Sequence, residues 1–146
     1  MVAGFAFSVV VLVRFWPIGR SLQTLLGNVD LNGSPNQGMD AMATQTAGLY
    51  AKLRAMASRV QRINPRQSVV ATWQAQLSSK NLDGSEKFFM GGSQGVRAYP
   101  TNEGGGSQGQ SLNLEWQHLW TPGKQRLTLS AFYDIATIDV NKFNDF

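Results

Sequence analysis

Three segments of the sequence alternate apolar and polar side chains, and this pattern constrains the fold more than any other feature. The segments are Gln67–Ser78, residues 111–120 and residues 126–138. A period of two is typical of a β-strand with one apolar face, and about ten residues is the length that a tilted strand needs to cross a bilayer. The apolar faces comprise Val69, Ala71, Trp73, Ala75, Leu77, Leu112, Leu114, Trp116, Trp120, Leu127, Leu129, Ala131, Tyr133 and Ile135. The pattern therefore predicts three strands of transmembrane length.

Two further segments carry a weaker signal. Residues 47–62 contain good helix formers and place Leu49, Leu53 and Met56 at helical spacing, yet the same segment also alternates with a period of two. Taken alone it favours a helix, whereas its neighbours favour a strand, which is our prediction. Residues 21–31 are an earlier strand candidate with a poorer pattern.

Short and long connections between these segments alternate along the chain. Residues 63–66 and 121–124 are short and carry Pro or Gly, whereas residues 32–46 and 81–110 are long and rich in Gly, Ser, Asn and Gln. Outer-membrane barrels have short periplasmic turns and long extracellular loops. The spacing therefore favours an all-β fold, an antiparallel transmembrane β-barrel.

The chain is too short for a complete barrel of this kind and supplies about four to five strands of a larger one. Open strand edges in lipid are untenable, so we expect the sequence to be part of a longer protein in which Met1 is not the natural start. Residues 1–20 form a separate apolar segment, and residues 21–146 form the partial barrel domain with a long inserted loop at 79–110.

Composition excludes several classes of function. The net charge is +4, but the basic residues are scattered from Arg14 to Lys142, so nucleic acid is not an expected partner. The chain has no Cys, and His118 is its only histidine, so we expect neither a metal site nor a cofactor. Glu103 and Glu115 are lone carboxylates without an obvious acid–base partner, so we expect no enzyme activity. Four aromatic residues, Trp73, Trp116, Trp120 and Tyr133, are candidates for a girdle at the membrane interface, and for Trp73 an ordinary place in a β-sheet core is the competing interpretation.

The longest connection carries a recognisable motif. The run Ser85-Glu86-Lys87-Phe88 is followed by Gly91-Gly92 and then by Gly95-Val96-Arg97-Ala98-Tyr99-Pro100. This order of residues resembles the haemolysin secretion/activation family, the outer-membrane transporters of two-partner secretion, and the resemblance extends over residues 27–134. It implies that the loop folds back into the barrel lumen. Its tip would then consist of Gly95, Val96, Arg97, Tyr99 and Pro100, after the loop glycines Gly91 and Gly92.

The resemblance also implies a contact for the arginine at the loop tip. Relatives in the wider barrel-assembly superfamily pair this arginine with an inward-facing aspartate on a strand, and Arg97 and Asp134 match the two positions. Alternation places Asp134 on the polar face of its segment, where a barrel would direct it into the lumen. The opposing interpretation is that Arg97 lies on a solvated loop tip and that Asp134 merely ends a strand.

The expected function follows from the same resemblance: secretion and activation of a partner exoprotein across the outer membrane of a Gram-negative-type envelope. The barrel would contact outer-membrane lipid and would need no nucleotide hydrolysis. Two alternatives remain open at the level of sequence. One is a passive porin or receptor-type barrel, and the other is a soluble β-rich binding module, which the helix-like spacing in residues 47–62 favours.

Overall fold

The structure, a computed structural model, describes residues 7–15 and 18–143, and it describes side chains from residue 19 onward. Six antiparallel strands form one sheet in the order β1-β2-β3-β4-β7-β8. The six are β1 (Phe7–Phe15), β2 (Ile18–Val29), β3 (Gly48–Asn64), β4 (Gln67–Ser78), β7 (Gln108–Trp120) and β8 (Leu127–Asp139). Two short strands, β5 (Phe88–Phe89) and β6 (Gly105–Gly106), pair separately within the longest loop.

Strands that are consecutive along the chain are neighbours in this sheet, except that β5 and β6 of the longest loop are left out between β4 and β7. Short and long connections alternate between the strands. The turns after β3 and β7 are short, whereas α1 (Gln37–Met42) lies in the long connection between β2 and β3. The longest connection, between β4 and β7, also contains a 3₁₀ turn at Gly84–Glu86. Among the described residues no helix is long and apolar enough to span a membrane.

The prediction of an antiparallel all-β fold, an incomplete barrel, is confirmed. The partial barrel domain contributes five strands to the sheet, β2, β3, β4, β7 and β8, within the expected four to five, and one further strand joins them. The additional strand is β1, which lies within residues 1–20, a segment whose continuous apolar run gives no alternation to detect. Residues 47–62 are a strand, β3, because their backbone pairs with β2 on one side and β4 on the other. The interpretation that Met1 is not the natural start concerns a position outside the described residues.

The sheet is apolar on the face that no part of the described chain covers. Leu26, Leu77 and Tyr133 are 62%, 57% and 62% exposed, and Trp73 and Trp116 share their face. Burial is concentrated on the opposite face, where the longest loop packs and where most of the buried side chains are polar. Apolar residues outside and polar residues inside are the distribution of a barrel wall in lipid. We call these the outer and inner faces.

Asp40 organises the connection between β2 and β3. Its carboxylate accepts hydrogen bonds from the Thr44 hydroxyl, from the amide and hydroxyl of Thr46 and from the amide of Ala47. Burial alone would raise the pKa of Asp40, but these hydrogen bonds outweigh burial and lower the pKa to about 2. The loop is therefore fixed by an ionised carboxylate in its interior.

Candidate functional site: a loop anchored to the inner face

The connection between β4 and β7 returns across the inner face of the sheet. At its near end, the Gln76 side chain donates hydrogen bonds to the backbone oxygens of Glu86 and Ser107, at 3.1 and 3.2 Å. Farther along, the Gln74 side chain donates to the Gln94 carbonyl oxygen at 2.7 Å. Both glutamines project from the inner face of β4, the polar face to which the sequence pattern assigned them. The loop therefore lies against the inner face of the sheet.

Close backbone approaches shape the tip of the loop. Val96 donates its amide to the Met90 carbonyl oxygen at 2.6 Å, and Gly92 donates to the Tyr99 carbonyl oxygen at 3.1 Å. Gly92 has φ of +95°, a conformation that a residue with a side chain rarely adopts. A Cβ atom on Gly95 would overlap the Met90 carbonyl oxygen. Glycine is thus required at both positions for the turn that presents the next residues.

Arg97 makes a bidentate ion pair with Asp134 on β8. Its Nε donates to Asp134 Oδ2 and its Nη2 donates to Asp134 Oδ1, both at 2.9 Å. The Arg97 backbone amide also donates to Oδ2, at 3.1 Å. The Asp134 side chain is only 3% exposed, whereas that of Arg97 is 27% exposed. Parallel N–H donors facing a carboxylate are the geometry in which an arginine–carboxylate contact is strongest.

Three side chains that sequence reasoning did not connect to Arg97 complete the site. Glu115 on β7 accepts a hydrogen bond from Arg97 Nη1, so the carboxylate that looked unpartnered is ion-paired. The guanidinium carbon lies 3.9 Å from the centroid of the Phe132 ring, within cation–π range. Asn113 donates its side-chain amide both to Asp134 Oδ1 at 2.9 Å and to the Gly95 carbonyl oxygen.

Electrostatics at the loop tip favour the charged form of Arg97. The hydrogen bonds to Asp134 and then to Glu115 raise the pKa of Arg97. One guanidinium faces two carboxylates, so the site has a formal charge of −1. Alternation had placed Asn113 and Glu115 on the polar face of β7, and this was the signal that could have identified them. What was missing was the register, which sets Asn113 opposite Asp134 and Glu115 opposite Phe132.

The other residues of the predicted tip motif shape the turn rather than the ion pair. Val96 and Tyr99 form part of its backbone hydrogen bonding, and the Tyr99 side chain is 45% exposed. Pro100 is exposed, and its carbonyl oxygen lies where a Cβ atom on Gly91 would be. Gly91, Gly92 and Gly95 therefore allow the two arms of the tip to approach each other.

A second anchor holds the root of the loop. The Lys52 ammonium group on β3, which is almost fully buried, pairs with the Glu86 carboxylate. Beside it, Arg54 Nε donates to the side-chain oxygen of the completely buried Gln76, at 2.6 Å. The loop is thus attached to β3 and β4 at its root and to β7 and β8 at its tip. The described residues contain no group of three or more His, Asp or Glu that could hold a metal ion.

An antiparallel sheet with an apolar outer face, a polar inner face and a loop folded onto the inner face defines the wall of a membrane β-barrel with an inserted loop. The family model of the Omp85 superfamily domain matches residues 26–145, and the chain belongs to this superfamily. Its members are outer-membrane β-barrel proteins that transport or insert polypeptides. No curated protein and no solved structure matches the chain.

Proposed function

We propose that this barrel is the transporter of a two-partner secretion system, which moves an unfolded partner exoprotein across the outer membrane and thereby activates it. The observation that carries the proposal is the bidentate contact between Arg97 and Asp134, because it ties the loop tip to the inner face of the wall. The motif that surrounds Arg97 supports the same family.

The physical role that we assign to the loop is to occupy the lumen and to set the shape of the pore. A glycine-rich segment is flexible by itself, so a fixed position requires specific contacts. The tip contacts are charge-assisted and partly buried, which makes them stronger than a solvated ion pair. The transport step needs no catalytic group in this proposal, and a translocating polypeptide would compete for the polar inner face.

The polarity of that face supports passage of an extended chain. Gln74 projects from β4, and Asn113, Glu115 and Gln117 project from β7. Amide side chains both donate and accept hydrogen bonds, so they can exchange contacts with a peptide backbone without favouring one sequence. Such a surface suits a substrate whose backbone is unpaired during transport.

The test is Arg97→Ala in the complete protein, with the secreted partner measured in the medium. We expect secretion to fall sharply, because the substitution removes every side-chain contact of the guanidinium, while barrel assembly continues. Assembly is measured separately as the heat-modifiable band in the outer-membrane fraction. The matched control is Arg66→Ala, which removes an exposed arginine from the turn between β3 and β4.

Normal secretion by the Arg97→Ala variant would contradict the role of the loop anchor. Pore conductance that is unaffected by the partner exoprotein, in both the wild-type protein and the variant, would indicate a passive pore instead.

A further inference from the structure

Charge is segregated along the strands of the sheet. The strand ends and turns at the short-turn end, residues 18–22, 56–70 and 116–131, contain no Asp or Glu. Six exposed basic side chains lie there: Arg20, Arg59, Arg62, Arg66, Lys124 and Arg126. None of them takes part in the ion pairs of the described residues, which join Lys52 to Glu86 and Arg97 to Glu115 and Asp134. This end is therefore a cationic rim without internal neutralisation.

Two of these arginines lie on the outer face. Arg20 on β2 is opposite Ala57, and Arg59 on β3 is opposite Ala71. Because Ala57 and Arg59 are two residues apart on one strand, Arg20 and Arg59 are diagonal neighbours on the same face of the sheet. Arg59 Nη2 donates to the Gln61 side-chain oxygen at 2.6 Å, so two polar side chains lie next to each other on the otherwise apolar outer face here.

Their position on the lipid-facing side limits where their charged groups can lie relative to the membrane surface. An arginine on the lipid face of a barrel is costly at the bilayer midplane and nearly neutral at the interface. Trp116 and Trp120 lie on the outer face toward the same end, and tryptophan is enriched at the interface between membrane and water. Long arginine side chains on an apolar face extend their charged groups toward the interface, so we place the guanidinium groups of Arg20 and Arg59 at the level of the lipid headgroups.

We propose that Arg20 and Arg59 form a binding site for the headgroup phosphate of an anionic phospholipid in the leaflet on the short-turn side. A guanidinium group presents a planar fork of donors that matches phosphate oxygens, and two adjacent arginines provide two such forks. The nearest carboxylate along β7, Glu115, is on the inner face and already paired with Arg97. This inference rests on the barrel fold and is independent of the exported partner.

The experiment titrates the full-length protein, purified in a non-ionic detergent, with phosphatidylglycerol or phosphatidylcholine and counts bound lipids by native mass spectrometry. We expect a preference for phosphatidylglycerol that weakens as salt is raised. Each arginine near a charged lipid surface contributes about a fivefold gain in affinity, so Arg59→Gln should lose about fivefold and the double variant with Arg20→Gln about 25-fold. Arg59→Lys retains the charge but loses the fork of donors, so its loss should be smaller than that of Arg59→Gln but measurable.

The matched control is Arg62→Gln, which makes the same change of charge three residues along β3 but on the inner face. We expect it to bind phosphatidylglycerol like the wild-type protein. An equal loss in Arg59→Gln and Arg62→Gln would mean that only net charge matters, and it would overturn the proposal. So would the absence of any preference for phosphatidylglycerol, or displacement of the lipid by an acidic peptide at equal charge, which would identify a polypeptide site. The heat-modifiable band of each variant reports that the barrel is folded.

Discussion

Replacing Asp134 by asparagine preserves the shape of the side chain and removes the charge that holds the loop tip. Four donors converge on the Asp134 carboxylate: the backbone amide, Nε and Nη2 of Arg97 and the side-chain amide of Asn113. Asparagine offers one acceptor oxygen, and its amide group is itself a donor. At least one of the converging donors then loses its acceptor, and the Arg97 guanidinium keeps only Glu115 as a charged partner.

The expected cost follows from burial. Removing one partner of a fully buried ion pair destabilises a protein by about 3–5 kcal/mol. Asp134 is almost fully buried, but Arg97 is 27% exposed and retains Glu115. Water can therefore reach the guanidinium group, which reduces the cost. We expect Asp134→Asn to destabilise the docked loop by about 2–3 kcal/mol, which lowers the ratio of docked to released loop by roughly 30- to 150-fold.

Limited trypsin digestion of the protein in detergent micelles measures this ratio, because Arg97 is itself a cleavage site that the docked loop protects. When opening and closing are fast, the cleavage rate follows the population of the open state. We expect Asp134→Asn to accelerate cleavage between Arg97 and Ala98 by about the factor above. Cleavage after Lys124, in an exposed turn at the opposite end of the strands, should be unchanged and is the internal control.

Glu115→Gln sets the scale for the comparison. Glu115 makes one contact with Arg97 and is 24% exposed, so its loss should cost about 1 kcal/mol and accelerate cleavage only about fivefold. Equal cleavage rates at Arg97 in the Asp134→Asn variant and the wild-type protein would refute the argument. A larger effect of Glu115→Gln than of Asp134→Asn would show that the anchor has been assigned to the wrong carboxylate.

Two further predictions concern the loops. Gly95→Ala should accelerate tryptic cleavage at the loop tip, because the new Cβ would overlap the Met90 carbonyl oxygen. Gly84→Ala is the control, since no atom lies near its Cβ, and it should leave the cleavage rate unchanged. Equal cleavage rates in the two variants would contradict the close approach at Gly95. The folded-state pKa of Asp40 is lowered from 3.8 to about 2, so its contribution to stability is fully present above pH 3.8 and is lost as the pH falls toward 2. A fluorophore attached through Met42→Cys should accordingly lose anisotropy over that window, and an additional Asp40→Asn substitution should abolish the pH dependence; a transition that survives Asp40→Asn would exclude this carboxylate as its cause.

Local sequence was sufficient to predict on which face of a strand each side chain lies. In a strand successive side chains point to opposite faces, so alternation alone assigned Asp134 to the polar face of its segment and Trp116 to the apolar one. The same reasoning identified the three clearest strands and the long and short connections. It failed for Phe7–Phe15, since a continuous apolar run has no parity to follow.

Pairing between strands decided the features that alternation along one strand cannot predict. Gly48–Asn64 has both helical and strand spacing, and its hydrogen bonds to β2 and β4 select the strand because a sheet satisfies the backbone through partners distant in sequence. The meeting of Arg97 with Glu115 and the meeting of Lys52 with Glu86 likewise depend on register and on the path of the loop. The sequence by itself determined which side chains face inward. Only the tertiary structure decided which of them touch, because contacts across a sheet are set by nonlocal hydrogen bonding rather than by neighbouring residues.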